Sequence, residues 1–275
     1  MNKKHWLPVG MIAALTGLTW WGGVAQTGET PGTDQLKAGK FVYELGCVTC
    51  HGTGGNGDGV AASHLNPRPR DFTQGVFKFR TTPGGAVPTD SDLERTIKHG
   101  LNGTAMSPWA ELSRQDIRNV IAYIQTFSPE FKKQTVAPIK IPAQPAFSME
   151  AVNRGKKWFT DLECWKCHGS EGRGDGPSAA ELKDSWGYPI RPVDLTRASQ
   201  YKRGASPTDI YTTFFTGLSG TPMPSYADTL EKAENEWELV YYVYWLSQEK
   251  SFARAERALR TQSFSRGSND PSWVK

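Results

Sequence analysis

The chain contains a second copy of itself, and this constrains its fold more than any other property. "CVTCHGTGGNGDG" at Cys47–Gly59 returns as "CWKCHGSEGRGDG" at Cys164–Gly176. "GLNGTAMSPW" at Gly100–Trp109 returns as "GLSGTPMPSY" at Gly217–Tyr226. Met106 follows His51 by 55 residues, and Met223 follows His168 by the same 55. Between these anchors "RPRDF" (Arg68–Phe72) matches "RPVDL" (Arg191–Leu195) with six extra residues in the second copy. A compensating deletion follows, so Asp92 and Asp209 are again equally far from their histidines. A repeat this long is of domain size, and the 275 residues divide into two related domains.

Each copy predicts the same helices. One leads into the cysteines, from Leu36 in the first copy and from Met149 in the second. Another starts at Asp90 or Thr208, where a Thr-Asp pair offers side-chain oxygens to the free amides of the first turn. The last, Arg114–Phe127 or Asn235–Gln248, repeats apolar residues at helical spacing. No segment reads as a strand, so the expected class is all-α. The domains fall at residues 30–128 and 149–249. The stretch between them, 129–148, holds Pro129, Pro138, Pro142 and Pro145 and reads as a semi-rigid strap.

The ends differ from the body. Lys3 and Lys4 precede an apolar, uncharged stretch that closes on Gly23-Val24-Ala25. It fits a signal peptide cut after Ala25, and the competing reading is an anchor helix spanning a membrane over residues 6–25. Both readings export the body. The tail, 250–275, carries six basic residues against two acidic ones, which accounts for the formal net charge of +4 over the whole chain. No basic stripe of the nucleic-acid-binding kind appears. The tail's Ser251–Phe264 reads as a helix whose arginines solvate one face or dock on an acidic partner or anionic lipid.

Four chemistries use part of the cysteine pattern: a disulfide loop, a redox dithiol, half a zinc site and covalent haem attachment. Cys-x-x-Cys-His is the attachment pattern of c-type haem. The thiols of Cys47 and Cys50, and of Cys164 and Cys167, would form thioethers with the porphyrin, and His51 and His168 would then ligate the iron. The other face needs a sixth ligand. Met106 and Met223, in matching Gly-Thr-x-Met loops, supply a soft sulfur that favours reduced iron. Disulfides or zinc would leave the repeated 55-residue reach to methionine without a purpose. His64 and His99 are rivals at the first iron, and Met149 reads as linker or packing.

With these motifs in place, the chain resembles a tandem diheme cytochrome c, each half similar to the class I fold over about residues 34–128 and 149–248. Gly39 and Tyr43, with Gly155 and Phe159, match that family's first-helix pattern and imply that this helix crosses the last one near Tyr123. The resemblance implies two covalent haem c groups, and a proline carbonyl that accepts the histidine Nδ1 proton, for which Pro69 and Pro192 are the candidates. It also implies Arg80 and Arg203 near the haem propionates. The implied activity is one-electron transfer between respiratory partners in the periplasm, by a carrier or by the cytochrome subunit of a larger complex, without catalysis of its own. Its partners would be a quinol-oxidising complex, a molybdenum oxidoreductase or a terminal oxidase. A diheme enzyme, peroxidase or thiosulfate-oxidising, is the alternative.

Overall fold

A computed structural model of the protein describes residues 31–248, apart from positions 228 and 231. The leader or anchor expected at 1–25 and the basic tail at 250–275 lie outside the described residues. In the first copy α1 is Thr33–Gly46, α2 is the single turn Val48–His51, α3 is Asp90–His99 and α4 is Arg114–Gln125. A short turn, α5 (Glu130–Lys133), opens the strap. The second copy repeats the order with α6 (Met149–Asp161), α7 (Trp165–His168), α8 (Pro207–Thr216) and α9, residues 233–248. Among the described residues extended pairing is limited to one isolated bridge, Lys183 with Pro189. The fold is all-α, as the periodicity predicts.

Close packing at one glycine sets the frame of each copy. A Cβ on Gly39 would fall onto the Asn119 carbonyl oxygen and lie 2.9 Å from Tyr123 Cβ. On Gly155 it would fall onto the Glu238 carbonyl and lie 2.9 Å from Tyr242 Cβ. Only a residue without a side chain lets α1 cross α4, and α6 cross α9, at this distance. The crossing near Tyr123 is where the first-helix pattern implies it. Around it the first core gathers Tyr43, Phe72, Leu93, Ile117 and Val120, with Met106 and Trp109 against its edge. The second gathers Phe159, Leu195, Phe214, Trp237 and Val240, with Met223 and Tyr226 against it. Apolar burial of this extent supplies most of the driving force for each domain.

The helix starts follow side-chain chemistry. Thr89 caps α3 as expected, in a reciprocal capping box whose carboxylate is that of Asp92 and not of the adjacent Asp90. In the second copy the cap is Ser206, whose hydroxyl accepts from Asp209 N–H, and not Thr208. Pro207 accounts for the difference. It lacks an N–H and its φ suits the first helical position, so the helix begins there and the residue before it becomes the cap.

The strap is tied to both copies. Ile139 N–H donates to the Thr81 carbonyl at 2.7 Å and Val87 N–H to Gln134 Oε1 at 3.1 Å. Farther on, the Pro145 carbonyl accepts from the Tyr241 hydroxyl, and Ile139 packs against the second core. The domains also touch directly. Arg95 pairs with Asp209 at 2.7 Å, and its guanidinium donates to the Arg203 carbonyl. Asn102 donates to the Tyr201 carbonyl at 3.1 Å. Arg80, 1% exposed, donates to three carbonyls: Phe77 at 2.8 Å, Pro83 at 3.2 Å and, in the other domain, Thr216 at 2.6 Å. Hydrogen bonds from a charged donor are the stronger kind, and loss of this donor leaves three buried carbonyls without it. Arg80→Met is expected to cost about 3 kcal/mol, read as a lower midpoint in denaturant unfolding.

Candidate haem sites

The attachment segment is a turn pinned at both ends. Cys47 ends α1, and the next turn carries Cys50 and His51, with His51 N–H donating to the Cys47 carbonyl at 2.8 Å. The chain then reverses at Gly52, φ +76, where the left-handed backbone favours glycine and the Asp58 carboxylate fills the space of a Cβ. The buried hydroxyl of Tyr43 donates to the Gly52 carbonyl at 2.8 Å. The glycine run folds back over the turn: Gly57 N–H donates to His51 O at 2.9 Å and Gly59 N–H to Cys50 O at 3.2 Å. The second copy repeats both, Gly174 to His168 at 2.8 Å and Gly176 to Cys167 at 3.2 Å, with Gly169 at φ +79 beside Asp175.

The histidine acceptors differ by one residue from the expected prolines. His51 Nδ1 lies 3.0 Å from the carbonyl of Arg70, not of Pro69. His168 Nδ1 lies 3.4 Å from the carbonyl of Val193, not of Pro192. The proline carbonyls are instead turned to the glycine run, each 2.7 Å from where a Cβ would stand on Gly57 or Gly174. Proline fixes the loop, and the residue after it presents the acceptor. A carbonyl can only accept, so Nδ1 holds the proton and Nε2 keeps its lone pair for a metal. Burial holds both imidazoles below their ordinary pKa, which keeps them neutral and able to ligate. His51 is stacked on Phe72, with ring centres 4.4 Å apart. In the second copy Leu195 stands at the matching position.

The methionine loops are built by a threonine whose role the sequence did not reveal. Thr104 Oγ1 donates to Leu101 O at 2.8 Å and accepts from Met106 N–H at 3.1 Å, while Leu101 N–H donates to Met106 O at 2.9 Å. Thr221, Leu218 and Met223 repeat this set at 2.7, 3.2 and 3.0 Å. Gly100 at φ +65 and Gly217 at φ +63 end the preceding helices and turn the chain into these loops. The signal was present in the sequence, since Gly-Thr-x-Met recurs whole.

The donor set fits a covalent haem in each copy. No disulfide joins the four cysteines, and burial pushes the Cys47 and Cys164 thiols up to about 11, so neither is poised as a thiolate for zinc or for dithiol exchange. Among the described residues no group of three or more His, Cys, Asp or Glu gathers as a zinc site would require. His64 and His99 are both exposed, which leaves Met106, packed against the first core, as the ligand candidate. Met149, 47% exposed, lies away from either core. The Arg80 guanidinium, expected at the propionates, is engaged by the three carbonyls and fastens the domains. Arg203 keeps a donor in reserve. Its Nη2 lies 3.5 Å from Asp92 and its Nε is buried without a partner among the described residues, which suits an anionic group such as a propionate. It borders a cavity of about 440 Å³ between α3 and the second domain, lined also by Phe79, Arg95, His99 and Lys202.

Comparison with known proteins agrees with this geometry. Residues 34–124 match the family model described as cytochrome c oxidase, cbb3-type, subunit III, and residues 152–247 match the model for cytochrome c. The solved Kuenenia stuttgartiensis reducing HAO-like protein complex contains a chain 44% identical to this one, with a TM-score of 0.74, covering 77% of this chain and 96% of that one. This chain belongs to the c-type cytochromes. It is a tandem two-domain cytochrome with two covalent haem c groups, one held by Cys47 and Cys50 and the other by Cys164 and Cys167. A curated relative, the cbb3-type cytochrome c oxidase subunit FixP of Sinorhizobium medicae, is 26% identical over 163 residues. That match covers 56% of the cytochrome and 46% of FixP, so the cytochrome spans about half the length of this relative. When bound, each haem supplies a one-electron ferric/ferrous couple. The chain's part is to hold it in an apolar core and to keep each histidine Nδ1–H bonded to a carbonyl, with the methionine of the far loop as the candidate sixth ligand.

Proposed function

We propose that the cytochrome passes electrons one at a time as the cytochrome subunit of a larger respiratory complex on the exported side of the cytoplasmic membrane. The observation that carries this is the repetition of the candidate ligand set, His51 with the Met106 loop and His168 with the Met223 loop, in the same local geometry. Each domain offers histidine and methionine together, which leaves neither haem an open position for oxygen or peroxide chemistry. Electron transfer needs no such position, and catalysis at the haem does. Membership of a complex is supported by the solved relative, which sits in a HAO-like protein complex, and by FixP, named as an oxidase subunit. The partner would then be a redox protein such as a terminal oxidase, a quinol-oxidising complex or a molybdenum oxidoreductase.

Extraction from native membranes in mild detergent tests the reading. The cytochrome is expected to co-purify in stoichiometric amount with a redox subunit, and N-terminal sequencing of the purified protein reports whether Ala25 is the end of a cleaved leader. A monomer that co-purifies with nothing, and that reduces peroxide or oxidises thiosulfate alone, would sink it. The spectrum gives a second check. The oxidised protein is expected to be low-spin at both haems with the near-infrared iron–sulfur charge-transfer band. Met106→Ala and Met223→Ala should each remove about half of that band and make the affected haem high-spin.

A further inference from the structure

The second copy's extra residues form a hairpin that reaches the other domain. Asp184 closes its turn, accepting from the backbone N–H of Trp186 and of Tyr188, each at 3.0 Å. Gly187 supplies the left-handed position at φ +82. Two aromatics of the turn lie against two arginines of the first domain. The Arg70 guanidinium carbon is 4.5 Å from the Trp186 ring centre, and that of Arg68 is 4.9 Å from the Tyr188 ring centre. A guanidinium at this range from a ring face is attracted to it, more so where water is displaced. Burial is felt at Arg70, whose pKa falls to about 10 against the opposing charges of Asp184 and Asp71.

Both ends of this contact lead to a haem ligand. Arg70 is the residue whose carbonyl accepts from His51 Nδ1–H, and its charge also acts on that imidazole. On the other side the Trp186 ring covers Gly220, three residues before Met223. A Cβ on Gly220 would lie 2.7 Å from Trp186 Cζ3 and 3.2 Å from Arg70 Nη1. Ser185 N–H also donates to the Gly220 carbonyl at 3.1 Å. The first copy has no counterpart. Gly103, at the same loop position with φ +69, has nothing within 4 Å of an added Cβ. Val193, which replaces Arg70 in the second copy, carries no charge.

We propose that Trp186 couples the two haem sites, holding the Arg70 charge beside the first haem's histidine and the Gly220 loop beside the second haem's methionine. A fixed, partly desolvated positive charge favours the less positive ferrous state and raises the first potential. Released into solvent, the same charge is screened. Packing on Gly220 confines the loop that carries Met223, and a retained sulfur ligand raises the second potential. Trp186 is a positioning residue: it acts through Arg70 and through the loop, and touches neither iron.

The test is a spectroelectrochemical titration of the full-length holoprotein, with the two haems resolved by their paramagnetic NMR resonances. Trp186→Ala is expected to lower both potentials and to leave the first haem about tenfold less reduced at its wild-type midpoint, 59 mV for a one-electron couple. Trp186→Phe, which keeps a ring face, should stay near wild type. Arg70→Gln, which keeps the backbone carbonyl, should lower the first potential alone. Gly220→Ala should reproduce Trp186→Ala by displacing the ring. Gly103→Ala imposes the same left-handed strain without that clash and should not. All variants are expected to retain both haems in a covalent haem assay. The proposal is overturned if Trp186→Ala moves neither potential or only one of them. It is equally overturned if Trp186→Phe matches Trp186→Ala, or if Gly103→Ala matches Gly220→Ala.

Discussion

Replacing Cys47 and Cys50 together by alanine is expected to leave one covalent haem on a chain that otherwise carries two. The reasoning is local. Each haem is attached within a single turn, and the second copy's turn, Trp165–His168, makes its backbone bonds to its own glycine run. The loss at the first site should therefore not spread to the second. The first domain pays a structural penalty as well, because Cys47, Val48, Met106 and Trp109 all pack at the edge of its core around the haem position. Its unfolding is expected to separate from that of the second domain and move to lower temperature. Mass spectrometry of the denatured protein reads the first effect, and calorimetry followed at haem and at tryptophan wavelengths reads the second. Two haems still attached after both substitutions would show that the thiols are not the attachment points.

The second large effect is expected from a single methyl group. Gly155→Ala should improve the intrinsic propensity of α6 by about 0.5–1 kcal/mol, since glycine is a poor helix former. The structure predicts the opposite outcome. The new Cβ would fall onto the Glu238 carbonyl oxygen, a backbone atom of α9 that no rotamer change can move, with Tyr242 Cβ at 2.9 Å. The helices must separate, and the second core lies between them. A net loss of about 3 kcal/mol or more is expected, which for a domain of roughly 100 residues lowers Tm by some 10 °C or more. Asn153→Ala, on the exposed side of the same helix, is the control and should be neutral or slightly stabilising. A Gly155→Ala protein as stable as that control would remove the close crossing from the account.

Much of the site was legible because duplication left two readings of the same chemistry. The attachment turns, the glycine reversals and the methionine loops recur at fixed spacing, and each occupies equivalent geometry in the two domains. The crossing of α1 with α4 was legible through Gly39 and Tyr43, since a missing side chain has a fixed packing meaning. What the sequence hid were choices made between neighbours. The histidine acceptor is Arg70 and not Pro69 because the loop turns the proline carbonyl to Gly57, and one peptide rotation is invisible in a residue pattern. Arg80 and Arg203 align in the repeat, yet one is spent on three carbonyls while the other reaches Asp92 and keeps an unpartnered Nε. Alignment of the copies cannot show this, because the contacts lie between them. For the same reason the six extra residues of the second copy show only as a length difference in the repeat, while their aromatics lie on Arg68 and Arg70 of the other copy.

The interface between the domains is a set of polar contacts: a partly exposed ion pair, a longer buried one between Arg203 and Asp92, side-chain bonds to carbonyls and two rings over guanidinium groups. Between separate chains, contacts of this kind hold little against dilution, because exposed pairs contribute at most about 1 kcal/mol each. The strap changes the arithmetic. Pinned at Thr81 on one side and at Tyr241 on the other, it confines the second domain to a small volume around the first. A short tether gives an effective concentration on the order of millimolar, and at that level modest contacts keep two partners docked. Cutting the strap would therefore turn one two-haem conductor into two one-haem carriers that meet only by diffusion.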